Sequence, residues 1–260
     1  MKTQQSTRVI IVTGASQGIG HAIAQTYLNN GDIVIGCAYS TLEKASGAQK
    51  LLADYPERFF YFSVDVTKTE SIKQFVTDAE KLFGHIDVLV SNAGKNVFKG
   101  IDCEENDWSH NFDLNLRSHW FMAKCARPAL AKSKGVILIM TSNHAFSTMP
   151  GCAPYNISKR ALLSLVQSLT IEWGPEIRTV GIAPGFIDTD GNQVWFDSHT
   201  DGRLAREKTI KKHPVGRIGR PEEVGELCLF LSSENAGFIA GTTIVMDGGR
   251  SAIMQDRDDV

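Results

Sequence analysis

The chain has 260 residues, 42% of them hydrophobic and 22% charged, which is enough to bury a sizeable core. One domain over residues 1–260 is the expected organisation for an α/β protein of this length. The formal net charge of −2, with no long block of like charge, argues against a nucleic-acid or anionic-membrane partner.

The opening MKTQQST is short and polar, with no apolar core or cleavage pattern, and the longest apolar runs, VIIV at 9–12 and VILIM at 136–140, are strand-sized. Neither a signal peptide nor a transmembrane helix is expected. Short β-branched runs then alternate with longer amphipathic stretches. Strands are expected at 8–12, 33–37, 59–63, 87–91, 135–140, 177–183 and 243–246. Helices are expected near 18–30, 41–54, 69–84, 111–132, 155–173 and 221–231, the last opening on Pro221 followed by Glu222 and Glu223. Seven strands with interleaved helices imply an α/β fold, a doubly wound parallel sheet of about seven strands with helices on both faces. Residues 184–220 are expected to be one long irregular segment; its position after a strand's C-terminal end favours a lid over a substrate.

Five cysteines (Cys37, Cys103, Cys125, Cys152, Cys228) are scattered and odd in number, with no CxxC pair, and read as reduced thiols in a cytoplasmic protein. The seven histidines show no HxxxH or HExxH pattern, so no metal is expected.

Two local patterns carry chemistry. Gly14, Gly18 and Gly20 follow the first strand and open the first helix, as a phosphate-binding turn requires, although a purely structural bend has the same composition. Tyr155 and Lys159 stand four apart in YNISKRALLSLVQSL, which puts both on one helix face. A free tyrosine has a pKa of about 10, and a neighbouring ammonium, helped by a cationic cofactor ring, would bring it into range for acid/base work at neutral pH. Taken alone, the pair is a weak signal and reads first as a helix-face tyrosine beside a solvated lysine.

The full set of motifs is more specific. TGASQGIG at 13–20, SNAG at 91–94, Asn115, Ser142, YNISK at 155–159, PGFIDT at 184–189 and DGG at 247–249 occur in the order and spacing of the short-chain dehydrogenase/reductase family, which the chain resembles over roughly residues 8–249. Position 91 is Ser where the family usually has Asn. The resemblance implies a Rossmann-type fold and an NAD(P)-dependent oxidoreductase moving a hydride between the cofactor and a secondary alcohol or ketone. Tyr155 would exchange a proton with the substrate oxygen, Ser142 would hold that oxygen, and Lys159 would lower the tyrosine pKa and hold the nicotinamide ribose. Asn115 would bind a water linking Lys159 to solvent; alone it reads as a helix-interior amide. The turn residues Gly14, Ser16, Gln17, Gly18, Ile19 and Gly20 would hold the cofactor's phosphates. Asp65 and Val66 would border the adenine, and Asn92, Ala93 and Gly94 the adenosine side, with Asn92 open equally to a turn-forming role. Pro184, Gly185, Ile187 and Thr189 would border the nicotinamide, beside Tyr155 and Lys159.

The acid that would bind the adenosine ribose of NAD is missing at the end of the second strand, where GCAYST places Ala38 and Tyr39. No Arg or Lys stands at 39 or 17 to replace it, but Ser40 and Thr41 could donate hydrogen bonds to a phosphate, so the expected cofactor is NADP, with NAD the alternative. Asn143, His144, Lys95, Asn96 and Trp195 are candidates to face the substrate, with solvated-loop readings for His144 and Asn96 and a lid-core reading for Trp195. A polar pocket of this kind suits a sugar, a polyol or a keto acid. A 3-oxoacyl-type carbonyl reductase and a non-catalytic NAD(P)-binding regulator are the alternative functions. A nucleotide-sugar epimerase or dehydratase is disfavoured by the glycine spacing. The resemblance also implies a homotetramer, and the run Trp120, Phe121 and Met122 is expected to exceed what a monomer's core accommodates.

Overall fold

The structure, a computed structural model, describes residues 7–253. Residues 1–6, nearly all of the polar opening read above as carrying no leader, lie outside the described residues, as do 254–260.

Seven parallel strands form one sheet: β1 (Val9–Thr13), β2 (Ile33–Ala38), β3 (Phe59–Ser63), β4 (Val88–Ser91), β5 (Val136–Met140), β6 (Arg178–Pro184) and β7 (Thr243–Met246), in the order β3-β2-β1-β4-β5-β6-β7. Each lies within a residue or so of its expected span. Parallel strands need crossover helices, which cover both faces, so β1 is buried along its whole length. Alternate residues feed two cores. Val9, Ile11, Leu89, Ile137 and Ile139 face one side, against α3 (Thr69–Phe83), α5 (Ser118–Ser133) and α6 (Ala153–Trp173). Ile10, Val12, Val88, Val90, Leu138 and Ile182 face the other, against α1 (Gly18–Asn29), α2 (Ser46–Asp54) and α9 (Pro221–Leu231). No helix among the described residues is long and apolar enough to cross a membrane.

Four expected boundaries are corrected. The helix expected from 41 starts at Ser46, after a short 3₁₀ turn at Leu42–Lys44. The helix expected over 111–132 is preceded by α4 (Glu105–Phe112), joined to α5 through a π-helical segment, Asp113–Arg117. The α6 helix starts two residues before Tyr155, with Pro154 in its first turn, where a missing N–H costs nothing. The segment 184–220 holds two helices, α7 (Asp190–Asp197) and α8 (Gly202–Lys211). Side-chain N-caps explain both: Thr189 Oγ1 accepts from Asn192 N at 3.3 Å, and Asp201 Oδ1 accepts from Leu204 N at 2.9 Å. The Trp120–Met122 run also divides, with Met122 1% exposed in the core and Trp120 41% exposed.

The strand order reverses between β1 and β4, so the crevice opens where their C-terminal ends diverge. Thr13 ties the two ends together. Its hydroxyl, 2% exposed, accepts from Asn92 N at 2.9 Å and Ala93 N at 2.8 Å, and its carbonyl accepts from Asn92 Nδ2 at 2.9 Å. Thr13→Val removes the acceptor of two backbone donors at nearly constant volume and is expected to cost about 1–3 kcal/mol, read from urea denaturation, while Thr13→Ser stays near wild type.

Candidate active site

The crevice floor begins at the turn after β1. Gly20 packs so tightly on the preceding turn that a Cβ there would lie 2.1 Å from Gly14 O. That contact seats the N-terminus of α1 directly over the turn, with its free N–H groups facing the crevice. Gln17 is the exposed N-cap residue, Ser16 and Ile19 are half-buried, and Gly18 faces the Thr189 side chain across the gap. A groove of about 380 Å³ opens here, lined among others by Gly18, His21, Thr189, Asp190 and Arg220. A glycine-walled cradle at a helix N-terminus fits a pyrophosphate. Asn92 Nδ2 is committed to the Thr13 carbonyl, so its side chain has the structural role left open above.

The adenosine end is more open. Ala38 closes β2, Tyr39 is 79% exposed, and the Ser40 carbonyl accepts from Tyr61 Oη at 2.7 Å. Asp65 Oδ1 accepts from Thr67 N at 2.9 Å and Thr67 Oγ1 at 2.6 Å, shaping the turn that carries buried Val66.

The reacting side chains gather where β5 ends. In α6 the buried residues Ser158, Leu162, Val166, Leu169 and Trp173 form a stripe facing the sheet, and Lys159 is carried inward beside it, 3% exposed. Its Nζ donates to Met140 O at 2.9 Å and lies 5.7 Å from the centre of the Tyr155 ring. Burial pulls the ammonium down from its ordinary value to about 7. Burial also pushes the half-buried Tyr155 phenol up to about 12, against a hydrogen bond with Ser142 that acts to lower it. Without cofactor, burial therefore dominates and the phenol stands above its ordinary value. Nζ points to the strand carbonyl. Ser142 Oγ accepts from His144 N at 3.2 Å, and the His144 ring meets Tyr155 edge-on at 5.7 Å.

Asn115 is fully buried in the π-helical segment. Its Oδ1 accepts from Lys95 N at 3.0 Å, and its Nδ2 donates to Lys95 O at 3.0 Å and to Asn111 Oδ1 at 2.9 Å. Gly94 leaves the passage between Asn115 and Lys159 open: a Cβ there would stand 2.8 Å from Asn115 Oδ1 and 3.3 Å from Lys159 Nζ. Sequence reasoning missed His119, one turn along from Asn115. It is 1% exposed, its Nδ1 lies 2.8 Å from Ser91 Oγ, and its Nε2 has no partner among the described residues. Burial first, then the charge of Lys159, holds this imidazole well below its ordinary pKa. The departure from Asn at position 91 was the one visible signal.

The mouth is bounded by β6 and the two lid helices. Pro184 ends β6, Gly185 N donates to Met246 O at 3.0 Å, and Ile187 is buried. Trp195 packs on Phe186, Phe196 and His199 at ring distances of 5.7, 5.2 and 4.5 Å, so it fills the lid's own small core. Arg206 pairs with Asp188 and pins α8 to the start of the lid.

A family model described as enoyl-(acyl carrier protein) reductase matches residues 14–251. The chain is 35% identical over 251 residues to a human protein named dehydrogenase/reductase SDR family member 4, covering 94% of this chain and 87% of that one. It is 33% identical over 247 residues to an NAD-dependent glycerol dehydrogenase of Listeria innocua, covering 93% of each. Among solved structures, the aldohexose dehydrogenase of Thermoplasma acidophilum superposes with a TM-score of 0.88 at 29% identity, covering 98% of each chain.

The lysine gives a stability test. Its folded pKa is depressed, so between about pH 7 and 10 the unfolded chain binds more protons at this site and stability rises with pH. In urea titrations without cofactor, wild type is therefore expected to gain on the order of 4 kcal/mol relative to Lys159→Met from pH 6 to pH 10. A constant difference would mean that the lysine is not desolvated.

Proposed function

The chain belongs to the short-chain dehydrogenase/reductase family, and from that premise we propose that Ser142, Tyr155, Lys159 and Asn115 form its reacting group beside a cofactor held by the turn at 13–20. The protein is an NAD(P)-dependent oxidoreductase acting on alcohols and ketones. The observation that carries the assignment of residues is the convergence of a desolvated Lys159, Tyr155 and Ser142 at the strand ends that also bear the glycine cradle.

In this reading Tyr155 donates a proton to the carbonyl oxygen in reduction and removes one from the hydroxyl in oxidation. Ser142 fixes that oxygen by a hydrogen bond. The bound nicotinamide supplies or accepts the hydride. Lys159, held between the Met140 carbonyl and the space over Gly94, would find acceptors in a cofactor ribose bound there, which would favour its charged form and so lower the phenol pKa. Asn115 fixes the Lys95 backbone on one side of that space, where a water would connect the lysine to solvent. Gly14 and Ser16 to Gly20 would hold the phosphates, Asn92 to Gly94 with Asp65 and Val66 would line the adenosine side, and Pro184, Gly185, Ile187 and Thr189 would border the nicotinamide. Retention of both Tyr155 and Lys159 speaks against a non-catalytic regulator. A 3-oxoacyl-type carbonyl reductase is the second reading, supported by GCAYS at 36–40.

NADP is the proposed cofactor, because no carboxylate stands at the end of β2 to repel a 2′-phosphate. The substrate is proposed to be hydroxylated, on the polar mouth around His144, with Trp195 acting through the lid; the glycerol and aldohexose dehydrogenases named above act on such compounds. We place the protein in the cytoplasm as a homotetramer. The proposed assembly rests on apolar side chains left at the surface, Trp120, Ile171 and Phe238, the last two 80% and 105% exposed.

Tyr155→Phe is expected to keep the fold and cofactor binding while turnover falls by about 10² or more; near-normal turnover refutes the proton-transfer role. Ala38→Asp is expected to move the NAD/NADP ratio of kcat/KM toward NAD, read by cofactor absorbance, through acceptance of ribose hydroxyls and repulsion of the 2′-phosphate.

A further inference from the structure

Tyr155 is the third residue of α6, in a first turn that no side chain caps: Cys152 at the N-cap makes no capping bond. Helix ends left this way fray. A reacting group misplaced by about 1 Å loses on the order of 100-fold in rate, so the turn needs another restraint. It is held from outside. Ala153 N donates to Lys99 O at 3.1 Å, and Asn111 Nδ2 donates to Pro154 O at 2.6 Å.

Asn111 is fully buried and is the only buried residue of α4. An amide so placed costs free energy unless its polar atoms are used. Both are: Nδ2 serves Pro154, and Oδ1 accepts from Asn115 Nδ2 at 2.9 Å. The Pro154 carbonyl can only accept, so it fixes which end of the Asn111 amide faces it. That leaves the Asn111 oxygen toward Asn115, which turns the Asn115 nitrogen to it and the Asn115 oxygen to Lys95 N at 3.0 Å. One polarity thus runs from the start of α6, through two buried amides, to the backbone after Gly94. The circuit closes outside: Lys99 Nζ pairs with Asp107 of α4 at 2.9 Å, and Lys99 O holds Ala153.

We infer that Asn111 is a positioning residue for the reaction, one buried amide that fixes the first turn of α6, and with it Tyr155, to the π-helical segment that carries Asn115. This inference rests on the reacting group proposed above and adds to it a residue that acts only through Tyr155 and Asn115.

Two variants separate positioning from packing. Asn111→Leu fills nearly the same volume and removes both bonds. Asn111→Asp keeps an oxygen toward Asn115 and can donate to Pro154 only while its carboxyl is protonated, a form that burial favours. Turnover is measured on the full-length proteins with glycerol and with glucose, NADP affinity by tryptophan fluorescence, and the folded fraction by urea denaturation. Asn111→Leu should lower kcat about 10- to 100-fold, with KM and NADP affinity within about 3-fold of wild type. Added to Asn115→Ala, it should cost little more, because the two amides act as one chain. The kcat of Asn111→Asp, relative to wild type at the same pH, should rise as pH falls. Without any turnover, the fall in the Tyr155 phenol pKa on NADP binding should be smaller by about one unit or more in Asn111→Leu, each protein being read against its own Tyr155→Phe counterpart. Wild-type kcat per folded molecule in Asn111→Leu, a loss that multiplies that of Asn115→Ala, or an unchanged phenol shift overturns the proposal. Should the leucine variant not fold, a pH-independent ratio for Asn111→Asp overturns it. Near-normal turnover in Tyr155→Phe refutes the reacting group itself, so the two readings fail on different proteins.

Discussion

Burying the ammonium of Lys159 is the constraint around which the site is arranged. The side chain is 3% exposed, and among the described residues its ammonium has one hydrogen-bond acceptor, the Met140 carbonyl at 2.9 Å. A charge so placed costs several kcal/mol unless it is discharged or paired, and the fall of its pKa to about 7 is the discharge. The arrangement follows from a helix whose apolar stripe presses on the sheet: position 159 adjoins that stripe, and β5 ends below it in a carbonyl at the strand terminus. One helical turn back, Tyr155 inherits the same dry surroundings, which raise its pKa instead. Burial thus drives the two groups apart in the free protein, and a ligand that gave the lysine further acceptors would favour its charged form.

The sheet topology decides which residues share this space. Parallel strands put all their C-terminal ends on one edge, and the reversal of order between β1 and β4 opens a crevice there. Short tethers then hold the crevice walls: Thr13 joins the ends of β1 and β4, Asn115 clamps the backbone at Lys95, and Asp247 ties the turn after β7 to Asn143. The π-helical segment at 113–117 belongs to the same set, since a local departure from α-helical bonding re-aims Asn115 without breaking the helix that continues through α5.

Strand positions were legible because a sheet covered on both faces demands continuous apolar runs, as VIIV and VILIM show, and these have few other readings. Helix faces were legible where the period was strong, and Tyr155 and Lys159 are an instance. The lid helices were not, because α7 and α8 owe their starts to single side-chain caps at Thr189 and Asp201 rather than to a long apolar period. The start of α4 was missed for the related reason that ENDWSHNF is polar almost throughout. The Ser91–His119 pair and the Ser147–Ser251 contact join residues 28 and 104 apart, which no local pattern encodes. The fate of Trp120 to Met122 shows the same limit: three adjacent apolar residues point in different directions around one helix, Met122 into the core, Phe121 half-buried against it and Trp120 largely to the surface.

The account turns on a tyrosine that burial makes inert and cofactor binding activates through Lys159. The most direct measurement is an ultraviolet difference titration of the Tyr155 phenol, taken as wild type minus Tyr155→Phe, with and without the oxidised cofactor. The account predicts ionisation at about pH 12 in the free protein and a fall of several units when the cofactor is bound. A phenol that titrates at the same pH in both states would contradict it.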